Sequence, residues 1–176
     1  MQIQHRLARA GDFAAVAQML ELYQHELSDI WDQDLDAEGR YGYALDRHRR
    51  AEHWFAHVGL ADGRYAACAL VSPAAVTRRS GCWMEQFFVL KKYRRLGLGA
   101  ALAGQVIASH PGPWEIGQMP RNLPAQAFWR RTLGRLCGAG GFAETQVTQG
   151  AWKGVVQAFD WPPAGPPDNA AMPTRA

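Results

Sequence analysis

The residues with the clearest chemical use lie in one run, Phe87-Phe88-Val89-Leu90-Lys91-Lys92-Tyr93-Arg94-Arg95-Leu96-Gly97-Leu98-Gly99-Ala100. In it an apolar strand passes through a cluster of cations into glycines that open a helix. Gly97 and Gly99 let the backbone approach a ligand with no Cβ in the way. The unpaired amides of a helix's first turn, aided by its dipole, point at an anion. Lys91, Lys92, Arg94 and Arg95 add positive potential, which suits a ligand carrying several phosphates. The plainer alternative is a strand-to-helix turn with two convenient glycines and a solvated basic patch. Other phosphate motifs fit less well. A P-loop needs Lys then Ser or Thr where Ala100 and Ala101 stand, and a dinucleotide fingerprint needs a third small residue where Leu102 stands.

Glu85 is the second group with chemical use. It interrupts an otherwise apolar strand, on the same side as Phe87 and Val89 by the period of two, and a carboxylate there is costly unless it is paired or used. A general base and a salt bridge to an arginine are both open readings. The six histidines have no metal-ligand spacing, and Cys68, Cys82 and Cys137 form no CxxC pair. The three thiols are therefore expected in the core, with neither a disulfide nor a metal.

These groups need a scaffold. A chain of 176 residues with 48% hydrophobic and 20% charged residues is expected to fold as one globular domain, residues 1–161. The Pro-, Ala- and Gly-rich segment 162–176 reads as a disordered tail. A net charge of +3, with cations concentrated only near Lys91 to Arg95, points to a local anion site rather than a nucleic-acid surface. No signal peptide or membrane-length apolar run is present, so a cytoplasmic location is expected, without a membrane partner. A homodimer is compatible with the sequence.

Met1 to Leu7 alternates as an edge strand, and Ala10 to Asp12 offers a cap for a helix carrying Phe13, Val16, Leu20 and Leu27 on one stripe. Ser28 to Tyr43 is acidic and glycine-containing and reads as a surface loop or a frayed short helix. His53 to Ala61 and Tyr65 to Val71 form a hairpin around Asp62-Gly63. Cys82 to Leu90 reads as a central strand. Then follow a helix over Gly97 to His110, a strand over Trp114 to Met119 and a helix over Pro124 to Leu136. Strands over Phe142 to Val147 and Val155 to Trp161 complete the domain. The order implies an α/β (α+β) fold with a mixed central sheet of about seven strands, flanked by helices on both faces. Asp46-Arg47-His48-Arg49-Arg50 reads as an exposed helical face.

Arg94-Arg95-Leu96-Gly97-Leu98-Gly99 resembles the signature of the GNAT superfamily of N-acetyltransferases: Arg or Gln, two residues, Gly, one residue, then Gly or Ala. The Phe-Phe-Val strand before it and Tyr93 suit the family. Asn122, followed by Ala125, Phe128 and Trp129, is similar to its second motif, so the resemblance spans roughly Cys82 to Phe142. It implies acetyl-CoA as co-substrate. Phe87, Phe88 and Val89 would pair by their backbone with pantetheine at the splayed end of the central strand. The amides of Arg95, Leu96, Gly97, Leu98, Gly99 and Ala100 would bind the pyrophosphate beside Arg94, and Asn122 would hydrogen-bond the pantetheine arm. A loop residue ahead of a helix is the plainer role for Asn122.

The resemblance breaks at two places. Trp129 stands where many relatives carry a tyrosine acid, and an indole N–H has no useful acidity, so packing is the expected role. Gly117 stands where some relatives carry a glutamate base. Tyr23, His25 and Ser28, with the acidic stretch through Glu38, occupy the region that commonly borders the acceptor in the family, with a solvated loop as the alternative. The expectation is transfer of acetyl from acetyl-CoA to a primary amine, of a small molecule or a protein, by direct attack in a ternary complex. Glu85 is the candidate base. A non-catalytic acyl-CoA-binding or sensing module is the alternative, and a nucleic-acid-binding domain is weaker still.

Overall fold

The computed structural model describes residues 1–138, 140–150 and 152–163. Most of segment 162–176, read from sequence as a disordered tail, lies outside them. Apolar alternation places Ile3–Leu7 (β1) at a sheet edge, where it pairs antiparallel with Phe55–Ala61 (β2). β2 returns through Asp62 and Gly63, both at positive φ as a two-residue hairpin turn requires, into Arg64–Ser72 (β3). β3 pairs antiparallel with Cys82–Val89 (β4), which runs parallel to Gly112–Gln118 (β5). Gly154–Trp161 (β7) lies beyond β5, and Ala143–Val147 (β6) forms the far edge, giving the order β1-β2-β3-β4-β5-β7-β6.

Helices cover both faces. Phe13–Trp31 (α1) sets Phe13, Val16, Met19 and Leu20 against Val58, Cys68, Leu70 and Phe88. Leu98–Ala108 (α3) and Leu123–Cys137 (α4) pack Leu98, Leu102, Val106 and Leu133 on the other face, with Met84, Trp114 and Ile116. A short helix, Asp46–Arg50 (α2), sits beside β2. Asp12 fixes the start of α1: it receives the guanidinium of Arg6, the Arg9 amide at 2.6 Å and the Tyr65 hydroxyl at 2.6 Å. Arg6, before the other two, pulls its carboxyl well below the usual carboxylate range.

Several expectations need correction. α1 runs to Trp31, one turn past the expected end, because Ile30 and Trp31 continue its apolar side; Asp32 then stops it in the left-handed region. β2 starts at Phe55 rather than His53, whose φ of 63° does not belong to a strand. Only Cys68 of the three free thiols is fully buried; Cys82 and Cys137 are half-buried. The face of Asp46–Arg50 is not wholly exposed, since His48 turns inward and is buried.

The central strand carries the largest departure. Leu70 pairs with Gln86 and Val71 with Met84, so Glu85 is the extra residue of a β-bulge. The period of two fails there. Met84 and Phe87 both belong to the α3/α4 side, while Gln86 reaches Tyr43 and Phe88 packs on the α1 side. Glu85 also meets Tyr43, on the α1 side, not the side of Phe87 and Val89.

Candidate active site

β4 and β5 pair only through Cys82–Trp114, Trp83–Glu115 and Met84–Ile116. Past these pairs the strands separate, leaving the β5-facing backbone of Glu85 to Val89 without a strand partner. The resulting cleft, of about 1480 Å³, runs from the β4–α3 turn past the bulge to the C-terminal end of α1 and the β6–β7 loop.

At the turn, Arg95 and Gly97 take positive φ of 64° and 81°, which swings the chain into α3. The first amides of α3, those of Leu98, Gly99 and Ala100, have no intrahelical acceptor. A Cβ on Gly97 would meet no atom within 4 Å and would stand in the open cleft, whereas one on Gly99 would touch Phe128 and Val89 at 3.4 Å. The turn is therefore a backbone cradle open to an anion. The Leu98 side chain is fully buried, so only its amide is available there. Leu96 is 55% exposed and borders a separate shallow hollow with Met1 and Tyr93.

Arg94 has a structural use. Its Nε donates to the Val89 carbonyl at 2.7 Å and a terminal nitrogen to Glu26 at 2.5 Å, with its guanidinium 5.6 Å from the Phe88 ring centre. Lys91 also reaches Glu26, at 3.4 Å. The arginine thus holds α1, the end of β4 and the turn together. Arg95, Arg131, Arg135 and Lys153 line the cleft without a carboxylate partner among the described residues. Arg131 and Arg135 are one helical turn apart on α4, and the run that carries them held no motif by which the sequence singled them out.

Asn122 is the N-cap of α4, its Oδ1 accepting from the Ala125 amide at 3.2 Å, and it also lines the cleft. The cap occupies the oxygen and leaves its NH2 group unbonded among the described residues. Trp129 is buried, edge-on to Phe87 at 4.9 Å and to Phe128 at 5.0 Å, in a packing role. Gly117 has no room for a side chain: Trp83 and Trp152 meet over it, and a Cβ would lie 2.7 Å from the Trp152 ring.

Glu85 lies in the cleft, its side chain 23% exposed. The Tyr43 hydroxyl donates to its Oε1 and accepts from Gln86 Nε2 at 3.4 Å. Burial first, and then Glu85, push the Tyr43 phenol well above its ordinary value, so it stays a donor. His48 Nε2 stands 3.7 Å from Glu85 Oε2, beyond hydrogen-bond distance, and both its ring nitrogens are buried without partners. Burial outweighs the pull of Glu85 and lowers the His48 pKa, which keeps the ring neutral near pH 7. Among the described residues Glu85 Oε2 is thus left free, and no arginine pairs with this carboxylate. Tyr43 and His48 were missed from sequence. Their separation from Glu85 by about forty residues left no local signal, and three arginines around His48 made its helix read as solvent-facing.

On the acceptor side, Tyr23 and His25 line the cleft and Ser28 does not; its hydroxyl donates to the His25 carbonyl at 2.9 Å. The Tyr23 ring lies 5.4 Å from Phe88, and burial raises its phenol to about 12. The acidic stretch leaves the cleft alone. Asp36 closes its own loop on Glu38 and Arg40, and Leu27, Ile30 and Trp31 form the wall instead. Arg121 donates to the Asp29 carbonyl at 3.2 Å, tying the β5–α4 loop to the end of α1.

Away from the cleft, His5, His57 and His110 are hydrogen-bonded in series at 2.9 Å each. Their nitrogens face one another in pairs rather than converging. Among the described residues no group of three or more His, Cys, Asp or Glu is arranged to hold a metal ion, and no helix is long and apolar enough to cross a membrane.

A family model described as acetyltransferase (GNAT) family matches residues 16–134. Among solved structures, PaiA N-acetyltransferase from Thermoplasma acidophilum, in complex with coenzyme A, is 9% identical with a TM-score of 0.62 over 92% of this chain and 100% of that one. A ribosomal-protein-alanine N-acetyltransferase from Brucella melitensis is 19% identical, with a TM-score of 0.61 over 89% of this chain and 99% of that one. A GNAT-family acetyltransferase from Staphylococcus aureus is 12% identical, with a TM-score of 0.61 over 90% and 99%. At these identities the likeness is one of fold. No curated protein sequence matches the chain.

Proposed function

The chain belongs to the acetyltransferase (GNAT) family, and from that premise we propose that it transfers acetyl from acetyl-CoA to a primary amine by direct attack in a ternary complex, in the cytoplasm. The observation that carries this reading is the bulge. It puts the free oxygen of Glu85 at the point where β4 leaves β5, in one cleft with the cradle at Gly97. The residues present fit CoA: an open cradle of helix-opening amides, four cations in the cleft without a carboxylate partner among the described residues, and a strand edge with no strand beside it. Acetyl-CoA supplies the acyl group as a thioester.

The amides of Leu98, Gly99 and Ala100 hold the pyrophosphate, with Arg95, Arg131 and Arg135 adding charge. The edge of Phe87 to Val89 pairs with pantetheine, and its strand amides polarise the thioester carbonyl. Glu85 Oε2 accepts the proton of the attacking nitrogen, while Tyr43 fixes the other oxygen and so acts as a positioning residue. No protein acid is needed at the sulfur. A thiol with a pKa of roughly 8.5 leaves as thiolate and takes its proton from water.

Calorimetric titration with acetyl-CoA and with CoA tests the cofactor half; absence of heat with both overturns it. Thiol release across a panel of amines tests the chemistry. The indole at Trp129 and the closed space over Gly117 favour, as a second reading, a module that binds acyl-CoA without turning it over. Tight CoA binding with no amine raising thiol release above the hydrolysis blank decides for that module.

A further inference from the structure

We propose that the acceptor is an α-amino-acyl end with an apolar side chain: a primary amine next to a carbon that bears a carbonyl or carboxylate oxygen, as in a hydrophobic amino acid or the N-terminus of a peptide. The inference rests on the reading of Glu85 as the base and adds which amine reaches it.

Three observations on the α1 side of the cleft carry it. The first is charge. Glu26 and Glu85 are the carboxylates that line the cleft among the described residues, and Glu26 is taken up by Arg94 and Lys91. Only Glu85 is left for a cationic acceptor, and Lys153 lines the same cleft. A polyamine would bring several charges to one carboxylate, whereas a single amine matches it.

The second is the wall. Leu27, Ile30 and Trp31 stand three and four residues apart on the last turns of α1, so they share one side of the helix and line the cleft together. Trp31 is still 46% exposed, and an apolar group bound there covers it.

The third is an unpartnered donor. Trp152 Nε1 is buried with no acceptor among the described residues, and an indole N–H donates only. Its ring is held edge-on to Trp83 at 5.3 Å, over Gly117. Met84–Ile116 is the last β4–β5 pair, so Glu85 and Gly117 are the next residues on either side of the gap. Trp152 lines the cleft together with Glu85, so an oxygen beside the nitrogen that reaches Glu85 is the acceptor proposed for the indole. Leaving a buried donor unpaired is costly, so the oxygen is selected for.

In the reaction the nitrogen lone pair forms the bond to the thioester carbon, and the carbon–sulfur bond breaks with its electrons on sulfur. Of the two protons an ammonium nitrogen sheds, one passes through Glu85 to solvent and the other is balanced by the proton taken up at sulfur. The products are the N-acetyl compound and free CoA.

The test measures kcat/KM for thiol release at saturating acetyl-CoA with phenylalanine, phenylalaninamide, a short peptide beginning with Phe, phenethylamine and spermidine. At least one of the three acyl-bearing amines exceeds phenethylamine by on the order of tenfold, the worth of one hydrogen bond to a buried donor, and phenethylamine exceeds spermidine. The three acyl-bearing arms separate a free amino acid from a peptide end. Trp152→Phe keeps the ring packing and removes the N–H, so the ratio of the best of them to phenethylamine falls toward one while acetyl-CoA affinity holds. Spermidine as the best acceptor, phenethylamine equal to all three, or an unchanged ratio in Trp152→Phe overturns the inference and leaves acetyl transfer standing. Bound acetyl-CoA with no turnover of any amine instead overturns the transfer reading, and this one with it.

Discussion

Residues 94–100 build the proposed phosphate cradle within one local run, whereas the proposed acceptor half of the same cleft draws on the end of α1, Tyr43 and His48, the β4 bulge and Trp152. The cradle works through backbone amides and positive φ, so its requirements are written in a few adjacent residue types. The acceptor half works through side chains that meet only when the sheet has formed. One can be read from a string of residues; the other depends on register. The comparison also separates binding from chemistry, and mutations to the two halves are expected to fail in different ways.

Gly97→Val has the largest expected effect. It forces a β-branched residue to a φ of 81° and sets its Cβ in the open cradle, so CoA binding is lost by calorimetry while the circular dichroism of the fold is kept. A folded Gly97→Val that binds CoA like the parent removes the turn from the site.

Tyr43→Phe breaks the other half. It deletes the donor on Glu85 Oε1 and is expected to lower kcat/KM roughly tenfold or more, the scale of a hydrogen bond to a charged group, with CoA affinity unchanged. Equal loss of affinity and rate would mean that the tyrosine supports the fold and not the carboxylate.

The same contrast explains what the sequence made legible. The seven strands, both helical layers and the hairpin at Asp62-Gly63 followed from periodicity and turn residues. So did the turn from β4 into α3, where Gly97 takes a positive φ. Glu85 was singled out as a carboxylate in an apolar strand, yet its direction was misread. A bulge shifts register without altering composition, and nothing in Met84-Glu85-Gln86 signals it. His48 was hidden by the arginines beside it. The acidic run through Glu38 suggested an acceptor rim, but Asp36 and Glu38 pair with Arg40 in their own loop, and none of the run's carboxylates lines the cleft.

Arg94→Ala sharpens the boundary between the halves, since this side chain binds the Val89 carbonyl and Glu26 at once. Loss of CoA affinity by roughly three- to tenfold, with a lower Tm, is expected from losing those bonds. A loss as complete as that of Gly97→Val would instead make the guanidinium a direct phosphate ligand.

The smallest effect on activity is expected at the histidine chain, which lies outside both halves. Burial, and then the neighbouring histidines, hold His57 down to about 3 against an ordinary value of 6.5. The unfolded chain therefore binds a proton that the folded chain refuses, and stability is lost as the pH falls from about 6.5 towards 3. The scale is about 2 kcal/mol between pH 6.5 and 5 for one such group. Chemical denaturation across this range checks it. His57→Gln flattens the slope and leaves kcat/KM at pH 7.5 unaltered, and a slope that persists assigns the acid sensitivity elsewhere.

The separation of binding from chemistry is tested most directly by Glu85→Gln, with acetyl-CoA affinity and thiol release measured on one preparation. The account predicts parental affinity, because the proposed cofactor contacts are made by backbone and by other side chains, and a kcat/KM lower by roughly 10² to 10⁴. A variant with the parental rate, or one that no longer binds acetyl-CoA, would contradict it.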